Sequence, residues 1–125
     1  IHSAGLPYAD DGFYATEKVD RAMDILPSKK AKETQLHPLV KTHAETKKKC
    51  LFINPVYTVA IDKYSEEESF LLLSSLYEHM TQDKYVYRHK WSKDMLLMWD
   101  NRTVVHAADG GYDGYERLMH RITVN

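Results

Sequence analysis

The sequence predicts a mainly β fold with helices, built as part of an antiparallel sandwich or barrel, and three observations predict it. Four β-type runs, residues 85–91, 95–99, 103–107 and 116–124, follow one another with only short polar or glycine-containing breaks. Residues 36–42 and 50–54 flank His43-Ala-Glu-Thr-Lys-Lys48, a polar stretch suited to a hairpin tip. One amphipathic helix over residues 65–80 opens on Ser65-Glu-Glu-Glu68, a capping box in which the Ser hydroxyl and the third-position Glu each satisfy a free backbone N–H.

Taken in order, residues 1–12 hold the turn formers Gly5, Pro7, Asp10, Asp11 and Gly12 and read as a loop. Val19, Ala22, Met23 and Leu26 then recur at helical spacing, ended by Pro27, which predicts a short amphipathic helix over residues 16–26. Residues 1–35 are therefore a lead-in with a short helix. The Lys47-Lys-Lys49 run reads as a solvated turn. In the helix over 65–80, Phe70, Leu72, Leu73, Leu76, Tyr77 and Met80 form an apolar stripe that belongs to the core.

A chain of 125 residues supports one core, and 43% hydrophobic against 28% charged residues excludes a disordered chain. Seventeen Lys and Arg against 18 Asp and Glu leave a net charge of -1, too little field to grip nucleic acid or an anionic membrane. The longest apolar run, residues 95–99, is far short of the ~20 residues a membrane span needs. A single cysteine, Cys50, permits no internal disulfide and fits a reducing, cytoplasmic setting. Seven histidines, at 2, 37, 43, 79, 89, 106 and 120, form no zinc pattern, and neither a G-x-S-x-G elbow nor a phosphate-cradling glycine loop is present. Nucleophilic and nucleotide chemistry have no support.

The last run is more informative. Its period of two puts Leu118, His120, Ile122 and Val124 on one face and Arg117, Met119, Arg121 and Thr123 on the other. Arginine cannot shed its charge, and its planar fork suits a carboxylate or sulfonate. At ~3.3 Å per residue the two arginines stand roughly 13 Å apart, enough for two separate anionic groups. His106, within Thr103-Val-Val-His-Ala107, lies in an apolar stretch where a polar ring needs a partner. A metal ligand and a carboxylate-binding arginine on neighbouring strands form the layout that an Fe(II) enzyme chelating a 2-oxo acid requires. The residues alone favour a solvent-facing strand and a hydrogen-bonded core histidine over an anion site and a metal ligand.

Trp99-Asp-Asn-Arg102, His106, Arg117 and Met119-His-Arg121 together closely resemble the C-terminal signature of the taurine dioxygenase family of Fe(II)/2-oxoglutarate dioxygenases, which includes the 2,4-dichlorophenoxyacetate dioxygenases. His37-Pro-Leu-Val-Lys-Thr-His43, Leu51-Phe-Ile-Asn-Pro-Val-Tyr-Thr58 and Ser65-Glu-Glu-Glu-Ser69 extend the resemblance over residues 36–124. It implies a double-stranded β-helix, or jelly roll, here a partial one. It implies His106 as an iron ligand, Arg117 as the partner of the far carboxylate of 2-oxoglutarate, and Arg121 and Tyr57 as substrate-binding residues. The implied reaction is hydroxylation of a C–H bond next to a small anionic group by O2, with Fe(II) as cofactor, 2-oxoglutarate as cosubstrate, and succinate and CO2 as coproducts.

The family takes its other two iron ligands from an upstream His-x-Asp motif, and no such motif occurs in this sequence. The one H-x-[DE] is His43-Ala-Glu45, which with His106 makes an arithmetically complete two-His, one-carboxylate triad. It falls at a polar hairpin tip, where the family carries a non-ligand stretch of similar composition. The chain thus reads as one domain, residues 1–125, forming the truncated C-terminal part of a dioxygenase that is inactive alone. The other reading is a non-catalytic anion-binding or assembly module. A partial jelly roll leaves unpaired edges, so a homo-oligomer is expected, its interface replacing the missing strands.

Overall fold

The structure, a computed structural model, describes residues 1–17, 25–111 and 113–124. The predicted helix over 16–26 falls mainly on residues 18–24, outside the described residues. The regular elements are β1 (His2–Ser3), α1 (Phe13–Thr16), β2 (Gln35–Leu36), β3 (Val40–Thr42), β4 (Lys49–Leu51), β5 (Thr58–Ala60) and α2 (Glu66–Met80), with 3-10 turns at Leu6–Tyr8, Lys29–Lys32 and Asp83–Tyr85. Strands β2, β1 and β5 make one antiparallel sheet in that order; β3 and β4 make a separate hairpin.

The hairpin pairs Val40 with Leu51, Lys41 with Cys50 and Thr42 with Lys49, as the polar tip predicts. The tip closes by hydrogen bonds from the His43 N–H to the Lys48 carbonyl (2.9 Å) and from the Lys47 N–H to the His43 carbonyl (2.9 Å). The predicted strand over 36–42 is divided. Pro38 has no N–H to give a ladder, so Leu36 pairs with His2 on one side of it and Val40 with Leu51 on the other. Strand β1 lies in a stretch that reads as loop by its turn formers. It is held because the His37 N–H donates to the Ile1 carbonyl and the Ala4 N–H to that of Tyr57.

Helix α2 starts as its capping box predicts: the Glu68 N–H donates to Ser65 Oγ (3.2 Å), and the Ser65 N–H to the Glu68 carboxylate (2.8 Å). Those bonds hold the Glu68 carboxyl below its usual pKa. Leu73, with Leu72, Leu76, Tyr77 and Met80, packs on Ile1, Ile53 and Ile61 to form the core. Phe70 departs from the predicted stripe and is 70% exposed. Ser69 takes the inward place one turn before Leu73, because its hydroxyl accepts from the Ile61 N–H at 3.1 Å and ties the helix to the end of β5.

The four predicted strands over 85–91, 95–99, 103–107 and 116–124 are not formed: among the described residues, no strand lies beyond β5. A short strand persists only as a member of a hydrogen-bonded ladder. Alternation marks which face would be buried but supplies no partner, so the apolar members stay on the surface, Leu96 at 89% and Ile122 at 87% exposure. The described fold is a small mixed structure of short strands and two helices; the partial jelly roll is not formed in it.

Candidate functional site

The hairpin tip carries a dense polar cluster. The His43 side chain is only 8% exposed, and its Nδ1 accepts from the Thr46 N–H at 3.1 Å. Nδ1 is therefore the unprotonated nitrogen, and in the neutral ring Nε2 carries the proton. Nε2 faces Asp100 Oδ2 at 3.0 Å and Glu45 Oε2 at 3.0 Å. The Arg102 fork closes the cluster, with Nη2 2.6 Å from Asp100 Oδ2, Nε 2.9 Å from Asp100 Oδ1 and Nη1 3.0 Å from Glu45 Oε1. Its guanidinium holds the Asp100 carboxyl well below the usual carboxylate range and lowers that of Glu45.

The same cluster sets the path of the chain toward His106. Asp100 accepts the Arg102 N–H on its side chain and the Thr103 and Val104 N–H groups on its carbonyl, which turns the backbone. After this turn the His106 ring lies 4.9 Å from that of Trp99. Cys50 links turn and hairpin, its thiol donating to the carbonyls of Lys41 (3.4 Å) and Arg102 (3.7 Å).

This arrangement overturns the triad of His43, Glu45 and His106. His43 and Glu45 are gathered with Asp100, and Arg102 supplies the positive charge that a metal would bring. Among the described residues, no group of three His, Cys, Asp or Glu side chains stands where it could hold a metal. His106 is one imidazole donor, so these residues do not by themselves fit an Fe(II) site. Both His106 and Arg117 are exposed.

Tyr57 is brought together with Tyr8, a residue that sequence reasoning missed, and Arg121 is exposed. The Tyr57 hydroxyl is 3.3 Å from that of Tyr8, and the two rings are nearly parallel with centroids 6.4 Å apart. Tyr14 flanks Tyr8 at 4.8 Å. Tyr57 is aimed by an Asn54 turn: Asn54 Oδ1 accepts the Val56 N–H at 2.8 Å, and its carbonyl accepts from the Tyr57 and Thr58 N–H groups. Tyr8 is fixed by the 3-10 turn Leu6–Tyr8, whose return requires glycine at Gly12, since a Cβ there would collide with the Leu6 carbonyl. The hydrogen bond to Tyr57, followed by desolvation, raises the pKa of the Tyr8 hydroxyl, while the nearby charge of Arg121 opposes the rise. Beside the pair runs an open groove of about 330 Å³ lined by Tyr57, Ala4, Ala31, Lys30, Gln35 and His37, among others. The only signal for Tyr8 in the sequence is an aromatic residue within a run of turn formers.

Comparison with known proteins gives this geometry its setting. A 2,4-dichlorophenoxyacetate dioxygenase of Burkholderia sp. (strain RASC), described as alpha-ketoglutarate-dependent, is 46% identical over 69 residues, 55% of this chain and 23% of that protein. An alpha-ketoglutarate-dependent sulfonate dioxygenase of Saccharomyces cerevisiae is 37% identical over 94 residues, 74% of this chain and 22% of that protein. An alkylsulfatase of Acinetobacter baylyi is 32% identical over 108 residues, 86% of this chain and 33% of that protein. The chain thus matches between 22% and 33% of the length of these relatives. The family described as taurine catabolism dioxygenase TauD, TfdA family matches residues 4–123, nearly the whole sequence, and the chain belongs to that family.

Proposed function

We propose that this chain is the C-terminal part of an Fe(II)/2-oxoglutarate-dependent dioxygenase that hydroxylates a small anionic substrate, a sulfonate or a carboxylate. The observation that carries the reading is the family match over residues 4–123, which spans Tyr57, His106, Arg117 and Arg121. In the complete site His106 would ligate the iron, Arg117 would pair with the far carboxylate of 2-oxoglutarate, and Arg121 and Tyr57 would hold the substrate. The substrate classes follow the names of the relatives, which act on a chlorophenoxyacetate, sulfonates or alkyl sulfates. The fold of the complete protein is a jelly roll, in which residues 85–124 supply strands once they have partners. The setting is cytoplasmic, in keeping with the free thiol of Cys50. Among the described residues, no helix is long and apolar enough to cross a membrane.

One imidazole is too small a donor set to retain Fe(II), so the 125-residue chain is inactive by itself. That same observation favours a second reading, a non-catalytic anion-binding or assembly module. Succinate formation separates the two. With Fe(II), 2-oxoglutarate, O2 and a sulfonate supplied, a longer protein carrying this sequence after an His-x-Asp motif is expected to form succinate, and the 125 residues alone are not. Turnover by the 125 residues alone overturns the incomplete-site reading. A longer protein that forms no succinate supports the binding module.

A further inference from the structure

We infer that Tyr8 is a positioning residue for Tyr57: its hydroxyl and ring hold the Tyr57 phenol against the groove, with the Tyr57 O–H left to donate to an oxygen of the substrate. The inference rests on the substrate role proposed for Tyr57 and adds a residue that acts on the substrate only through it.

The two phenols stand on separate frameworks. Tyr8 ends the 3-10 turn Leu6–Tyr8, which is pinned where the Gly5 N–H donates to the Ala31 carbonyl (2.8 Å) and the Ser28 N–H to that of Tyr8 (2.9 Å). Tyr57 lies between the Asn54 turn and β5, its carbonyl accepting from the Ala4 N–H at 2.9 Å. Both backbones are thus fixed where the side chains meet. The 3.3 Å contact between the hydroxyls, with the rings only 10° from parallel, restrains the rotation left to Tyr57. That ring is 36% exposed, and a side chain so placed has rotamers to lose when a ligand binds. A partner that fixes it in advance lowers the cost of binding.

The order of the hydroxyls decides which proton remains. A phenol donates one hydrogen bond and also accepts. The bond to Tyr57 is the largest cause raising the Tyr8 pKa, as a proton that Tyr8 gives would do, while the bond with Tyr14 lowers it, as one that Tyr8 receives would do. The hydroxyls therefore run from Tyr14 to Tyr8 to Tyr57, and Tyr8 spends its proton on Tyr57. The Tyr57 proton is the one left over, on a residue that lines the groove with Ser3, Lys30 and Gln35. A hydroxyl that accepts a hydrogen bond is itself a stronger donor, so the chain also strengthens the bond that Tyr57 gives.

Two measurements test this. In the 125-residue chain, NMR of isotope-labelled tyrosine rings follows the Tyr8 phenol, which titrates above the ordinary 10.0; in Tyr57→Phe it is expected to titrate lower. An unchanged Tyr8 titration overturns the pairing and the inference with it. In a longer protein carrying this sequence after an His-x-Asp motif, KM and kcat are read from succinate formation with a sulfonate substrate. KM is expected to rise about tenfold in Tyr57→Phe and about fivefold in Tyr8→Phe, where kcat stays near that of the unsubstituted protein. The double variant should be no worse than Tyr57→Phe alone, because Tyr8 has nothing left to act through. Effects that multiply to about fiftyfold in the double variant would show Tyr8 acting independently of Tyr57 and overturn the positioning role, as would an unchanged KM in Tyr8→Phe. A KM unmoved by Tyr57→Phe, or no succinate from the unsubstituted longer protein, overturns the substrate reading beneath it, whatever the Tyr8 titration shows.

Discussion

His43 Nε2 and Asp100 Oδ2 lie 3.0 Å apart although 57 positions separate them in the chain. This bond fastens the tip of the β3–β4 hairpin to the turn that leads to His106. The tail beyond α2 has no strand ladder among the described residues, so its place relative to the folded body depends on such side-chain ties. Arg102 reinforces the bond by spanning Asp100 and Glu45 at once. His43 is thus a positioning residue for the segment around His106.

Replacing His43 by Leu removes the imidazole donor that faces both carboxylates, leaving them to Arg102 alone, and is expected to destabilise the protein by about 1–2 kcal/mol. His43→Gln restores an N–H near the position of Nε2 and should recover much of the loss. The ring-current shift that Trp99 imposes on the His106 protons should collapse in His43→Leu and return in His43→Gln. NMR of the histidine ring protons reads this directly, and identical spectra in all three proteins would refute the positioning role.

The acid limb of stability should report the same cluster. Asp100 and Glu45 titrate below their ordinary values of 3.8 and 4.5 because Arg102 holds their charged forms. A carboxyl with a lowered folded pKa contributes stability above its unfolded value and loses it as pH falls through the folded one. The gap in urea midpoint between the wild type and Arg102→Gln should therefore be constant from pH 7 to pH 5 and shrink below pH 4. A gap that widens on acidification would contradict the assignment.

What the sequence discloses and what it conceals follow from how local each interaction is. The capping box of Ser65 and Glu68 spans four residues, and the hairpin closes over the polar tip from His43 to Lys48, so both are legible. Whether His43-Ala-Glu45 serves a metal or an ion pair is decided by Arg102, 57 positions beyond Glu45. Tyr8 acquires its meaning from Tyr57, 49 positions away, and nothing in its own neighbourhood signals this. Alternation in residues 85–124 is equally legible, but a strand is a property of two paired segments, and the pattern of one does not provide the other.

Gly12→Ala should disturb the tyrosine pair without touching it. The new methyl group collides with the Leu6 carbonyl, and the 3-10 turn carrying Tyr8 must shift to make room. The expected cost is about 1–3 kcal/mol, typical of an overpacked site. Loss of the nuclear Overhauser contact between the Tyr8 and Tyr57 rings checks it; a wild-type contact with unchanged stability would count against the tight turn.

Exposed apolar side chains in the tail, among them Leu96, Met98, Leu118 and Ile122, together with backbone that joins no strand ladder among the described residues, favour self-association. Light scattering on the 125-residue chain is expected to give a dimer or larger species at micromolar concentration, and Ile122→Lys should shift it toward monomer. A monodisperse monomer at high concentration would remove homo-oligomerisation from the account.

The proposed roles of His106 and Arg117 separate in a longer protein that carries this sequence behind an His-x-Asp motif. His106→Ala removes an imidazole donor, and a site short of one ligand should lose Fe(II), measured as metal content after desalting. Arg117→Ala leaves the metal in place but deprives the far carboxylate of 2-oxoglutarate of its guanidinium, which should weaken binding of that cosubstrate by about 2–5 kcal/mol, measured by calorimetry. Arg121→Ala should spare both iron and 2-oxoglutarate and raise KM for the anionic substrate. The order of effects is the decisive feature, because general unfolding would lower all three together. If Arg117→Ala stripped the metal, or Arg121→Ala impaired 2-oxoglutarate binding as strongly as Arg117→Ala, the assignment of the two arginines to two different anions would be wrong.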